Sequence, residues 1–193
     1  MNYLAHSFLS GQDEELLVGN FIADSVRGSQ FGLFPRKIAQ GIILHRQIDT
    51  FTDAHPVVQQ SKERLRPAYR KYAGVIADIY YDHFLAINFD RYSTVGLGVY
   101  TQQVYDSVQR HHAILPDRVK YFLPYMIEQN WLLNYANLEG IRRSLTGLSR
   151  RTAFISNMET AADELRENYH LYLHEFNTFF PDLMAFVEEQ QKL

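Results

Sequence analysis

Apolar residues recur at spacings of three and four along almost the whole chain, and that period admits little other than α-helix. Toward the C-terminus Ala162, Leu165, Tyr169, Tyr172, Leu173 and Phe176 follow it and predict a long helix over about residues 156–179. Near the N-terminus Leu16, Leu17, Asn20, Phe21 and Asp24 share one helical stretch, with Asp13 placed to cap it. Pro35 opens a second helix through Ile38, Ile42 and Leu44 to about residue 50. The His55-Pro56 pair forces a break, because a residue before proline is pushed out of the helical region. A helix over 57–66 follows, and Pro67 begins another through Ile76, Ile79 and Phe84. A glycine-bearing loop over 91–98 precedes a helix at 100–112, which Leu115-Pro116 ends. Helix then runs over 118–137 with an interruption at Pro124, Gly140 and Gly147 flank a short basic helix over 141–145, and Pro181 restarts the chain for a last short helix. No strand-length alternation, hairpin signal, repeat or long linker appears. The expectation is one compact all-α domain spanning residues 1–193.

Bulk properties narrow the classes further. The net charge of -3 does not favour nucleic acid as a partner. No apolar run approaches the ~18–20 residues that cross a bilayer, and Met1 to Ser10 carry no basic leader, so no membrane association and a cytoplasmic location are expected. The chain has no cysteine, which removes thiolate chemistry and fits a reducing compartment. Any metal must therefore be held by His, Asp, Glu or Asn.

The informative residues are polar groups set inside apolar helical segments. Asn20 and Asp24 are four apart and share a face, as do His45 and Asp49 among Ile42, Ile43, Leu44 and Ile48. Asp78 and Asp82 repeat the spacing, with His83 beside the second. Burying unpaired carboxylates costs several kcal/mol or more each, so three such pairs call for a shared compensation. A divalent cation provides it, and helical bundles build such sites from side chains that project into the core. Mixed N and O donors without sulfur suit Mn, Fe, Zn or Mg, and the set points to phosphoester hydrolysis more than to redox chemistry. Each pair alone has a plainer explanation as a cap or a salt bridge, and Arg27 and Arg46 are available to neutralise the acids without a metal. His6 reads as a hydrogen-bonded structural histidine, His111-His112 as a helix-end surface pair, and His170 and His174 as structural or exposed.

The strings Met1-Asn-Tyr-Leu-Ala-His6, Val18-Gly-Asn-Phe-Ile-Ala-Asp-Ser-Val-Arg-Gly28, Gly41-Ile-Ile-Leu-His-Arg-Gln-Ile-Asp-Thr-Phe-Thr-Asp-Ala-His-Pro56 and Ala77-Asp-Ile-Tyr-Tyr-Asp-His-Phe-Leu85 resemble the acyl carrier protein phosphodiesterase family, in order and over nearly the whole length. That family is similar to the HD-domain phosphohydrolases, so the resemblance implies a helical, metal-dependent phosphodiesterase with Mn as the usual cation and Mg, Fe or Zn as alternatives. It implies hydrolysis of the phosphodiester between a serine of holo acyl carrier protein and 4′-phosphopantetheine. By the same resemblance Asp24, His45, Asp49 and Asp82 are the leading ligand candidates, with His83 next. The chain departs from the HD signature in carrying Asp82-His83, the reverse order, and no His-Asp doublet. Asp78 or His83 is the candidate proton acceptor, and Arg46 or Arg27 the candidate for stabilising charge on the phosphate oxygens.

Carrier proteins of this class are acidic, so a partner site on this slightly acidic chain requires a local basic patch. Arg142, Arg143, Arg150 and Arg151 form one candidate, and Lys62, Arg64, Arg66, Arg70 and Lys71 another. Two alternatives stand beside this reading: an HD-like hydrolase of a nucleotide or other small phosphoester, and a non-enzymatic helical module that binds an acidic carrier.

Overall fold

The Asp13 carboxylate accepts the backbone N–H groups of Glu15 and Leu16, both at 3.1 Å, and so starts the helix that carries Asn20. The computed structural model describes residues 1–192. Eleven α-helices follow in order among them: α1 (Tyr3–Leu9), α2 (Glu14–Ile22), α3 (Arg36–Ala54), α4 (Pro56–Tyr69), α5 (Ala73–Ile87), α6 (Leu97–Arg110), α7 (Asp117–Glu128), α8 (Trp131–Asn134), α9 (Leu138–Ser149), α10 (Ala161–Glu167) and α11 (Tyr169–Gln191). Short 3-10 turns join several of them, and there is no strand among the described residues. The all-α expectation holds. No helix among these residues is long and apolar enough to cross a membrane.

Aromatic rings fill the centre. Tyr80, Tyr81 and Phe84 of α5 meet Tyr172, Phe176, Phe179 and Phe180 of α11, all of them fully buried. The buried hydroxyls find partners: Tyr80 donates to the Ala161 carbonyl, and the Tyr81 and Ser61 hydroxyls lie 2.7 Å apart. Ser61 also donates to Glu175 at 2.5 Å, and Arg64 clamps that carboxylate through both terminal nitrogens, which neutralises the one glutamate inside the core.

Proline proves a weaker breaker here than the sequence pattern implies. Pro67, Pro124 and Pro181 all lie inside helices, α4, α7 and α11 respectively. Each is exposed, so the carbonyl that loses its N–H partner faces water, while buried neighbours such as Leu65, Leu123 and Leu183 hold the opposite side. The long helix expected over 156–179 is instead divided at Asn168. Its backbone N–H still makes the helical bond to the Glu164 carbonyl, but its own φ of -109° and ψ of 23° leave the helical region while its side-chain amide bonds the Glu164 carboxylate at 2.9 Å.

Helices α2 and α3 approach each other backbone to backbone. A methyl group on Gly19 would lie 2.0 Å from the Ile38 carbonyl oxygen, and one on Gly41 would lie 2.2 Å from that of Leu16. Only glycine at both places lets the two backbones approach this closely. Gly41→Ala is expected to destabilise the protein by about 3 kcal/mol or more, because backbone rather than a flexible side chain must move. Gly32→Ala, with nothing within 4 Å of the added carbon, should stay within about 0.5 kcal/mol of the parent. Denaturant melts of the two variants check this, and equal stabilities would refute the close-packing account.

Candidate metal centre

The α2–α3 approach delivers Asn20 to His45. Asn20 is fully buried, and its amide nitrogen donates to the His6 carbonyl at 2.9 Å and to the Ser10 hydroxyl at 3.0 Å. The orientation of the amide is thereby fixed, and its oxygen faces His45. His45 Nδ1 lies 2.9 Å from the Asn20 carbonyl and 3.1 Å from the Asn20 side-chain oxygen, both acceptors, so Nδ1 carries a proton and donates it. The opposite nitrogen, Nε2, is aimed at two carboxylates: Asp49 Oδ2 at 3.2 Å and Asp24 Oδ1 at 3.3 Å. Burial works against a second proton on His45, but the two carboxylates outweigh it and raise its pKa to about 9.

His6 enters the same cluster from α1. Its ring stacks on that of His45, with centroids 3.8 Å apart and planes 16° from parallel. Its Nε2 lies 3.2 Å from Asp49 Oδ1, yet neither ring nitrogen makes a well-formed hydrogen bond, although both are buried. This corrects the expectation of a hydrogen-bonded structural histidine. Burial, together with the neighbouring His45, lowers the His6 pKa to about 4, with Asp49 opposing only in part. Asp49 is held well below the usual carboxylate range: burial pushes it up, but His45 and His6 prevail. Ligand atoms of His6, His45 and Asp49 all lie within 4.8 Å of one another. Asp24, whose side chain is 67% exposed, forms the open side of the group.

The other acids lie behind this ring. Asp82 is completely buried and accepts the backbone N–H groups of Asn2, Leu4 and Ala5 at 3.2, 2.8 and 3.3 Å. It is therefore the anchor for the N-terminus of α1, with its oxygens engaged by backbone donors, rather than a neighbour of His45. Burial raises its pKa to about 7, against the pull of the Met1 amine and those three donors. Asp78 pairs with the Met1 amine at 3.0 Å, and that amine lies 3.9 Å from Asp49. Burial raises Asp78 above the ordinary carboxylate range. His83 points elsewhere, between the Tyr135 carbonyl at 2.7 Å and the Tyr169 hydroxyl at 3.0 Å. Residues 82 and 83 are adjacent on a helix, about 100° apart around its axis, and here their side chains take separate partners, Asp82 the start of α1 and His83 the Tyr135 and Tyr169 oxygens.

The arginines are also sorted. Arg46 donates to the Val26 carbonyl at 3.1 Å and lies over the Phe31 ring, lining a groove with Ile43, Thr50 and Phe186 on the adjacent face of α3. Arg27 is exposed at the start of a 3-10 turn. In the expected basic patch, Arg142 is clamped to Asp163 by two nitrogens at 2.8 and 3.1 Å. Arg143, Arg150 and Arg151 are exposed and make no ion pair among the described residues. In the second run, Lys62 is bound to Asp53 and Arg64 to Glu175. His112, His170 and His174 are exposed, and His111 bonds the Ser107 carbonyl, as helix-surface residues should.

A divalent cation fits the residues that converge here. The donor set is two imidazoles and two carboxylates. One histidine has its remote nitrogen fixed by Asn20, the arrangement that orients metal-bound imidazoles, and the other has buried nitrogens whose bonding needs are unmet. His6 was the member the sequence concealed, because helical spacing within α1 gives no sign that packing of this helix on α2 and α5 carries the His6 ring onto His45 of α3. The short span between His6 and the Asn20–Asp24 pair was the available clue.

Comparison with known proteins identifies the family. The family model described as acyl carrier protein phosphodiesterase matches residues 1–183. The chain is 31% identical to the acyl carrier protein phosphodiesterase of Photorhabdus laumondii over 98% of its own length and 96% of the relative's. It is 31% and 30% identical to the proteins of that name from Serratia proteamaculans and Yersinia pestis, over 99% of this chain and all of each relative. No solved structure matches the chain. On the extent of these matches, the chain belongs to the acyl carrier protein phosphodiesterase family.

Proposed function

We propose that this protein hydrolyses the phosphodiester that joins 4′-phosphopantetheine to a serine of holo acyl carrier protein, at a divalent metal site held by His6, His45, Asp49 and Asp24. The supporting observation is the convergence of His6, His45 and Asp49 within 4.8 Å beneath an exposed Asp24. Manganese is the first choice of cation, with Mg, Fe or Zn as alternatives. Such a cation supplies positive charge to the phosphoryl oxygens and acidifies an attacking water. Asn20 fixes the His45 ring so that Nε2 stays directed into the site. Asp82 holds the start of α1, and α1 carries His6 to its stack on His45. Asp78, with a pKa raised by burial and a place beside Asp49, is the proposed acceptor of the water's proton. As the new P–O bond forms, the bond to the serine oxygen breaks and that oxygen takes up a proton. The products are apo carrier protein and 4′-phosphopantetheine. A cytoplasmic location belongs to the same proposal.

The direct assay incubates holo carrier protein with enzyme and Mn and follows the loss of the phosphopantetheine mass. Asp49→Asn and His45→Gln should abolish turnover at low Mn, with His45→Gln partly restored at high Mn. Full activity in both variants would place the chemistry elsewhere. Saturating metal should stabilise the stripped parent by about 2.7 kcal/mol at a hundred times its dissociation constant. Asn20→Ala should weaken metal binding by about 10- to 100-fold, as loss of an orienting partner does.

The stripped protein also has a defined pH profile. His45, raised to about 9 in the fold, contributes stability that is fully present below pH 6.5 and is lost as the pH rises through 9. His6, lowered to about 4, resists protonation in the fold, so stability falls as the pH drops from 6.5 through 4. Asp82, raised to about 7, favours its protonated form and opposes His6 over that acid interval, so the cluster's signature is the alkaline limb: thermal melts of stripped protein should fall as the pH rises from 6.5 through 9, and a flat profile over that limb would contradict the cluster's electrostatics.

A further inference from the structure

A partly exposed face begins at Tyr3, one helical turn before His6 on α1. Tyr3, three residues before His6, packs its ring 5.0 Å from Phe21 and 5.8 Å from Phe122. Phe122 in turn lies parallel to Trp131 at 6.3 Å, with planes 7° apart, and the Arg151 guanidinium stands 6.0 Å from the Trp131 ring. Arg118 lies one helical turn before Phe122 on α7 and so shares its side of the helix. Beyond Arg151 the chain presents Phe154 and Ile155, 68% and 91% exposed, and Lys71 sits 4.3 Å above the Phe154 ring. Large apolar side chains this exposed beside cations are typical of anchor positions at an interface.

The charges on this face are uncompensated. Lys71, Arg118, Arg150 and Arg151 are exposed and form no ion pair among the described residues, whereas Arg64, Arg110, Arg142 and Arg166 are all paired. In a chain of net charge -3, what marks this face is that its unpaired cations stand beside exposed aromatic and apolar side chains. Its position relative to the acidic centre is also marked at Tyr3. Apart from burial, the charges felt by its hydroxyl are those of Asp24, which raises its pKa, and of Arg118 and Arg151, which lower it. The cations come from α7, from the segment after α9 and from the turn after α4, a spread that suits a protein surface rather than one phosphate group.

We infer that this face, from Tyr3 through Phe122 and Trp131 to Arg118, Arg151, Phe154 and Lys71, docks the acidic surface of the carrier protein and sets its modified serine at the Asp24 side of the centre. The inference rests on the function proposed above for the partner's identity. The cations meet carboxylates on the acidic carrier, and Phe154 with Ile155 supplies the apolar anchor. A negatively charged partner approaching an acidic metal centre would otherwise be repelled, and the basic face counters that repulsion.

The test uses the full chain and two double variants, Arg118→Glu with Arg151→Glu, and Phe154→Ser with Ile155→Ser. Calorimetry measures binding of apo carrier protein, which carries no scissile bond, at low and at high salt. Hydrolysis of holo carrier protein is compared with that of bis(p-nitrophenyl) phosphate. Each variant is expected to bind apo carrier about thirtyfold more weakly, and to lose about thirtyfold more of its kcat/KM on holo carrier than on the small diester. The charge-reversed variant should also show a flatter salt dependence than the parent. Apo-carrier binding within about threefold of the parent, or equal losses on both substrates, would overturn the docking face. So would a parent that does not bind apo carrier at all. A parent that binds apo carrier in this way but leaves phosphopantetheine in place would instead remove the proposed function and leave the docking face standing.

Discussion

The contact between Gly19 and Gly41 is the constraint on which the site depends. With any side chain at either position, α2 and α3 separate and Asn20 no longer reaches His45. The consequence is chemical as well as mechanical. Asn20 spends its two donor hydrogens on the His6 carbonyl and on Ser10, which leaves only oxygen to face His45 Nδ1. A backbone approach measured in tenths of an ångström thus decides which imidazole nitrogen points into the acidic cluster.

The second support is electrostatic. Asp82 lies at the N-terminal end of α1, where unpaired N–H groups and the helix dipole favour a negative charge, and it takes three of those donors. That bond set locks α1, and α1 stacks His6 on His45. The price of the arrangement is two buried imidazoles face to face, one pulled toward the charged form and the other pushed to the neutral form. A divalent cation would resolve the conflict, since it displaces the extra proton on His45 and gives the nitrogens of His6 a partner.

Much of the fold was legible from the periodicity, the Asp13 cap and the His55-Pro56 break. What was not legible came from burial on the far side of a helix. Pro67, Pro124 and Pro181 are tolerated because they face water, and nothing local to a proline reveals that. Within the site, His45 with Asp49 and Asn20 with Asp24 were readable, because four-residue spacing puts each pair on one face. Asp82 passed as one of the same kind, since an acid that caps a distant helix and an acid in a cluster look alike in sequence. His83 was misplaced by adjacency alone. His6 was hidden for the converse reason: its partners come from α3, and only the tertiary packing of α1 brings them together.

The central claim is that His6 and His45 share one cation with Asp49 and Asp24. Pulsed electron paramagnetic resonance on the Mn-loaded protein reads the nitrogen atoms bound to the metal. Coupling to two imidazole nitrogens in the parent, reduced to one in His6→Gln, is the predicted result. A manganese signal with no nitrogen coupling, or one unchanged in His6→Gln, would contradict it.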